Sequence, residues 1–489
     1  MMLADILTSN TTLQIQICLF NKMITREKLT PYSNNIAVVT KDGRQYSYKE
    51  ILSITDIISE NIENRSLVFC LAQNSPGSLA GYLAFVQNKI VPLMLNSDLD
   101  SELLDKLIMT YKPEYIWVPI KDKNLINSGK VVLNILNYSL IKLSFKKEYL
   151  LHDDLGLLLT TSGSTGSPKL VKLTYENIFS NAESISKYLS IDENERPITS
   201  LPMHYSFGLS IINSHMIKGA TILLTNSSLM EREFWSFLQT YKATSLSGIP
   251  YTFEILKKLR FFKMDLPYLK TITQAGGKLN DDLNLEFSEF CKNEGKRFFV
   301  MYGQTEATAR MSYLPHEYSI TKLGSMGIVI PGGEFSLIDE NGNIIEEHGK
   351  KGELVYKGKN VSMGYAFSRA DLAKGDENNG VLVTGDMAKR DRDGYYYIVG
   401  RKKRFIKLFG NRVNLDETER LLKNVISDCA CSGRDDEMVI YITDKNKLKK
   451  INRYIAEKTS INHQAFIVKY VAEIPKNSSG KTIYSKLPN

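Results

Sequence analysis

Short apolar, β-branched runs recur along the chain between amphipathic stretches; Ser66–Ala72, Tyr115–Pro119 and Ala220–Thr225 are three of them. Runs of this length, bounded by polar residues, read as buried strands, and their alternation with helix-like segments predicts α/β architecture with largely parallel sheets. The pattern changes between Gly324 and Val361. There, Glu334–Asp339, the Asn341-Gly342 turn and Gly352–Tyr356 predict a small antiparallel β unit. Further on come a turn at Asp391–Gly394, a hairpin-like Tyr395–Val399 and the basic run Arg401–Arg404, after which the chain reads as a compact α+β segment. We therefore place a domain boundary in the 400–404 region. Residues 1–402 would form a large N-terminal domain of two α/β sheet subdomains plus the small β unit, and residues 403–489 a small α+β C-terminal domain. By charge alone, the basic run is equally an exposed turn.

Composition adds bounds to this picture. A chain of 489 residues with 43% hydrophobic content can bury a large core and should divide into at least two domains. Its formal charge of +8 is spread along the length. Such an excess suits anionic small molecules or a solvated surface, and no dense basic tract interleaved with aromatics points to nucleic acid. The five cysteines, Cys18, Cys70, Cys291, Cys429 and Cys431, lack the spacing of a disulfide framework or a zinc site. Met1–Lys22 lacks the basic start and apolar block of a signal peptide, and no run of about 18 apolar residues occurs, so we expect no membrane insertion and a cytoplasmic setting.

The strongest local chemical signal is an apolar strand, Leu157–Thr160, that runs into Thr161-Ser-Gly-Ser-Thr-Gly-Ser-Pro-Lys169. Glycines let backbone N–H groups turn toward a phosphate, hydroxyls add donors and a lysine adds charge, so Thr161, Ser162, Gly163, Ser164, Thr165, Gly166 and Lys169 are candidates to hold a triphosphate. On composition alone the same stretch is equally a flexible turn. It is not a Walker A loop, because Pro168 stands where the second glycine belongs. Gly480-Lys481-Thr482 fails the same test at Pro475.

Residues 161–169 resemble the signature loop of the adenylate-forming (AMP-binding) superfamily, which includes acyl-CoA synthetases, peptide-synthetase adenylation domains and firefly luciferase. Further matches follow in chain order: Gln274-Ala-Gly-Gly277, Tyr302-Gly-Gln-Thr-Glu306, Thr384-Gly-Asp386, Gly400-Arg401 with Ile406, Lys407 and Gly410, and Pro475–Lys481. The resemblance implies ATP-dependent activation of a carboxylic acid as an acyl-AMP, with release of pyrophosphate and transfer of the acyl group to a thiol. ATP and Mg2+ are the implied ligands, and coenzyme A or the phosphopantetheine of an acyl carrier protein the implied acceptor.

Residue by residue, the resemblance makes Glu306 the magnesium ligand and Thr305 the contact to the α-phosphate. It lays Tyr302 against the adenine, with Gly276 and Gly277 on the other face. Asp386 would accept both ribose hydroxyls, with Arg401 as a second contact to ribose or phosphate. Lys481 would reach the charge that develops between carboxylate and α-phosphate, so its loss should stop adenylation. The C-terminal domain would be mobile, hinged at Lys403, and its swing would bring Gly410 beside the pantetheine path.

The acyl pocket is identified by Leu201–Leu209, similar to the segment that begins this pocket in acyl-CoA synthetases, and places His204, Tyr205 and Ser206 there. Tyr205 stands where histidine is frequent. Ser206 stands where amino-acid-activating relatives carry an aspartate for the substrate's ammonium, which disfavours an ordinary α-amino acid. Leu170 replaces the usual glycine after the signature loop, and the sequence ends soon after Lys481, which leaves coenzyme A and carrier protein both open. The rival readings are a ligase that loads an amino acid or unusual acid onto a dedicated carrier protein, and a nucleotide-binding module without turnover.

Overall fold

The computed structural model describes residues 24–126, 128–146, 149–160, 169–408, 411–423, 425–434, 436–459, 461–476 and 482–488. The chain folds into two compact units. The first runs to Leu323 and adds Val329–Glu334 and Lys357–Leu382; the second comprises Gly324–Ile328, Phe335–Tyr356 and the chain from Val383 onward.

Two sheets organise the first unit. One runs, in spatial order, Tyr365–Ala366, Leu170–Thr174, Leu155–Thr160, Val91–Asn96, Leu67–Ala72, Tyr115–Pro119, Tyr138–Lys142 and Lys130–Ile135. Its centre is parallel and its flanks antiparallel. The other passes from Ser312–Tyr313 through Arg297–Tyr302, Thr271–Gln274, Ser245–Gly248, Pro197–Ile198 and Ile222–Leu224 to Ile36–Thr40 and Gln45–Ser47, again parallel at its centre. The apolar runs read from the sequence are central strands here. Every residue of Leu67–Ala72 is buried, because a strand covered on both faces has no polar face to alternate with.

Local chemistry directs the chain between sheet and helix. Thr174, which ends the strand Leu170–Thr174, accepts a hydrogen bond from Asn177 N at 2.9 Å while Asn177 Oδ1 accepts from Thr174 N at 2.8 Å. This reciprocal cap starts the helix Tyr175–Tyr188 at once. Asn181, Ser184 and Tyr188 recur three and four residues apart and so share one face of it.

A buried ion pair ties distant parts of this unit. Arg369 Nη2 lies 2.7 Å from Glu114 Oε1, with both side chains under a tenth exposed, and Glu114 Oε2 accepts from Leu67 N at 2.7 Å. Replacing Arg369 with leucine should destabilise the fold by about 3–5 kcal/mol, because it strands a carboxylate in a low-dielectric interior. A denaturant titration would read this directly, and a loss below about 1 kcal/mol would mean that water reaches Glu114.

The second unit carries most of a four-stranded sheet ordered Gly333–Ile338, Gly352–Gly358, Val381–Arg390 and Tyr396–Arg401, which realises the expected β unit. Beyond it lie a hairpin of Phe405–Leu408 with Asn411–Asn414, the helices Leu415–Lys423 and Leu448–Thr459, and a sheet of Cys429–Arg434, Glu437–Ile442 and Phe466–Tyr470. Cys429 and Cys431 are buried in that sheet, and burial pushes the Cys429 thiol up to about 12. The basic run is not uniformly an exposed turn. Arg404 lies 2.6 Å from both Asp416 and Glu419, and its guanidinium sits 4.0 Å from the Tyr484 ring centroid. No helix among the described residues is long and apolar enough to cross a membrane.

Candidate functional site

The segment Tyr302–Arg310 is wound into a tight loop at the end of the strand Arg297–Tyr302. Gly303 allows the winding: a Cβ there would meet Ala309 O at 1.6 Å, an impossible approach for any other residue. Thr305–Ala307 form a short 3₁₀ turn, after which Thr308 (φ 61°) and Ala309 (φ 129°) adopt conformations that L-residues avoid. Strain of this kind persists only where surrounding bonds over-determine the backbone. Those bonds are present: Thr308 Oγ1 donates to Asn360 O at 2.6 Å, Asn360 Nδ2 donates to Ala307 O at 2.8 Å, and Asn181 Nδ2 donates to Arg310 O at 2.9 Å.

On this loop the Glu306 carboxylate is aimed by a residue that the sequence reading missed. Tyr365 donates its hydroxyl to Glu306 Oε1 at 2.8 Å. Burial and the adjacent Glu306 charge push the Tyr365 phenol well above its ordinary range, so it stays a donor. The Lys169 ammonium stands 3.3 Å from the Tyr365 ring centroid, in cation–π contact. Strand register creates the arrangement, because Tyr365 pairs with Val171, two residues beyond Lys169. The only sequence signal was an aromatic after Gly364, too common a pair to carry weight. Tyr365→Phe should reduce the turnover that depends on Glu306 by about tenfold, as loss of an orienting partner to a metal-binding group does, while leaving the thermal midpoint nearly unchanged. Equal loss with and without excess magnesium would sink that assignment.

Among the described residues no group of three or more His, Cys, Asp or Glu forms a metal cluster. Magnesium that bridges phosphates needs only one or two carboxylates, so a single oriented Glu306 fits it.

The residues assigned to the acyl pocket adjoin this loop. Ser206 opens the helix Ser206–Met216, and its Oγ lies 3.2 Å from Thr305 Oγ1. Tyr205 precedes it and packs on the glycine segment: Gly276 has φ +85°, and a Cβ there would sit 2.9 Å from the Tyr205 hydroxyl. Gln274 Nε2 donates to Gly277 O at 2.8 Å and so holds the segment in place. Burial pushes the His204 imidazole down to about 4 against the opposing pull of Asp98, so it is neutral near pH 7. Its Nδ1 has no hydrogen-bond partner among the described residues.

Asp386 and Arg401 belong to the second unit, where antiparallel register sets them opposite one another. Asp386 is buried, Arg401 exposed, and Arg401 Nε lies 3.4 Å from Asp386 Oδ1. Thr384 Oγ1 accepts from Asp386 N at 3.1 Å and donates to Leu354 O at 2.8 Å, which fixes the bend at Gly385. Lys403 lies in the short 3₁₀ turn Lys402–Arg404. Thr161, Ser162, Gly163, Ser164, Thr165, Gly166, Gly410 and Lys481 lie outside the described residues. The strands that flank the first six of these are paired directly, Thr160 with Leu170.

The model of the family described as AMP-binding enzyme matches residues 26–366. Luciferin 4-monooxygenase from Photuris pensylvanica is 29% identical over 348 residues, 67% of this chain and 62% of that protein. The 2-succinylbenzoate–CoA ligase from Geobacillus sp. is 28% identical over 355 residues, 70% of each chain. The match thus spans less than two thirds of the luciferase. Among solved structures, O-succinylbenzoate coenzyme A synthetase from Bacillus subtilis in complex with AMP superposes with a TM-score of 0.76 at 21% identity, covering 94% of this chain and 98% of that one. At that identity the likeness shows a shared fold.

Proposed function

The chain belongs to the AMP-binding enzyme family, and from that premise we propose that it activates a carboxylic acid with ATP and passes the acyl group to a thiol. In the first step a carboxylate oxygen attacks the α-phosphorus, the bond to pyrophosphate breaks, and acyl-AMP forms. In the second a thiolate attacks the acyl carbonyl and AMP leaves. The observation that carries this reading is the meeting of Ser206 Oγ and Thr305 Oγ1 at 3.2 Å, on a loop whose Glu306 is held by Tyr365. The residues proposed for the acid and for the phosphate thereby adjoin.

Each residue then has a task that its surroundings favour. Thr305 donates toward an α-phosphate oxygen. Glu306, which accepts from the Tyr365 hydroxyl, would hold magnesium, which would supply positive charge to the phosphates when bound. Lys169 and the 161–166 loop would bind the triphosphate, Tyr302 with Gly276 and Gly277 the adenine, and buried Asp386 with Arg401 the ribose. Lys481 would meet the charge that grows between carboxylate and phosphate. Motion of residues 403–489 about Lys403 would then bring Gly410 to the thiol. Ser206 offers no charge for a substrate ammonium, which favours an acid without an α-amino group. Coenzyme A is the preferred acceptor because relatives such as the Geobacillus protein carry CoA ligase names.

The test is acid-dependent exchange of labelled pyrophosphate into ATP over a panel of fatty, aryl, hydroxy, dicarboxylic and amino acids, followed by acceptor competition between coenzyme A and a phosphopantetheinyl carrier protein. Exchange with one acid class and thioester formed on coenzyme A is the expected result. Bound ATP without exchange for any acid would instead favour a nucleotide-binding module.

A further inference from the structure

Arg310 is 2% exposed, yet it has no carboxylate partner among the described residues. Nη1 donates to the Tyr188 hydroxyl at 3.2 Å and to Met301 Sδ at 2.9 Å, both neutral. The guanidinium lies 4.7 Å from the centroid of the Phe207 ring. Nε is buried with no acceptor. Among the described residues the other buried arginine, Arg369, is matched by Glu114, and the partly buried Arg404 by Asp416 and Glu419. An unpaired buried charge costs several kcal/mol, so a fold keeps one where something else supplies the counter-charge.

The location indicates what supplies it. Phe207 follows Ser206 directly, and Arg310 closes the tight loop that carries Thr305, so the guanidinium over the Phe207 ring lies beside the segments assigned to the acid and the phosphate. Two of its contacts, Phe207 and Met301, belong to an apolar cluster with Ile211, Ile249 and Phe299. His215, also buried, offers no anion: burial and the Arg310 charge push its imidazole down to about 4, so it is neutral near pH 7. The result is one fixed cation among neutral groups, whose fork geometry suits a carboxylate.

We infer that the acid substrate is a dicarboxylic acid, and that Arg310 is the specificity-determining residue that pairs with the carboxylate remote from the reacting one. This rests on the adenylation reading. One carboxylate is adenylated beside Thr305, and the other neutralises Arg310. A monocarboxylic acid of the same length leaves the guanidinium unpaired and binds less well.

The experiment measures pyrophosphate exchange with straight-chain diacids from malonate to suberate and with aryl diacids, each beside its monoamide, for the wild type, Arg310→Met and Arg310→Lys. The expected KM for the best diacid is about 10- to 100-fold below that of its monoamide in the wild type, the span of a charged hydrogen-bonded pair. Arg310→Met should erase this preference by raising the diacid KM with little change in kcat, and Arg310→Lys should restore part of it. The thermal midpoint of ligand-free Arg310→Met should be no lower than that of the wild type, because an unmatched charge is removed; a merely structural arginine would lower it. Equal KM for diacids and monoamides in the wild type overturns the inference and leaves adenylation standing. If no acid supports exchange, adenylation itself is in question, and calorimetric titration with the same diacids decides: Arg310-dependent binding sustains the pairing, and no binding overturns it.

Discussion

Glu306→Gln is expected to lower acid-dependent pyrophosphate exchange about a thousandfold, equivalent to about 4 kcal/mol of lost transition-state stabilisation. The substitution keeps volume and shape. A glutamine carbonyl can still accept from the Tyr365 hydroxyl, now 2.8 Å from Glu306 Oε1, so the loop should hold its strained form. What changes is charge. A neutral amide is a poor magnesium ligand, and the negative charge that grows on pyrophosphate and α-phosphate as the bond breaks then goes less well matched. Raising magnesium should recover part of the rate in this variant and little in Tyr365→Phe,Glu306→Gln, where both ligand charge and orientation are gone. Exchange within tenfold of the wild type at low magnesium would remove Glu306 from the metal site and leave Thr305 as the main phosphate contact of this loop.

Lys481→Ala should split the two half-reactions. Adenylation is expected to fall by about two to three orders of magnitude, because the lysine supplies a compact positive charge that matters most while carboxylate and α-phosphate approach one another. Thioester formation from chemically prepared acyl-AMP and coenzyme A should change by no more than a few-fold, since in the proposed swing this lysine leaves the site before the thiol arrives. Of the residues flanking it, Lys476 Nζ meets Asp428 Oδ2 at 2.7 Å and Lys476 bridges to Thr482. The thermal midpoint of the variant is expected to match that of the wild type. Equal losses in both half-reactions would argue against alternate use of the C-terminal segment and move Lys481 to general substrate binding.

Much of the architecture was legible because it is written locally. Leu67–Ala72 and Tyr115–Pro119 are apolar throughout since strands buried on both faces must be, and Asn341-Gly342 announces a turn through glycine's freedom at positive φ. The motif strings at 274–277, 302–306 and 384–386 were legible for a similar reason: a tight loop that presents a carboxylate or a hydroxyl needs particular residues within a few positions of each other. Even there the pairing of Asp386 with Arg401 waited on strand register, and the basic run concealed that Arg404 is held between two carboxylates.

The sequence by itself determined the elements, their order, the turns between them and the family-like strings, since these depend on periodicity and on neighbours along the chain. Only the tertiary structure decided which charges are matched. Tyr365 reaches Glu306 across 59 positions, Glu114 meets Arg369 across 255, and Arg310 is left with neutral neighbours. An arginine codon reads the same on a surface or in a core. What a guanidinium costs, and therefore what it demands, is set by the dielectric and the partners that folding assembles around it.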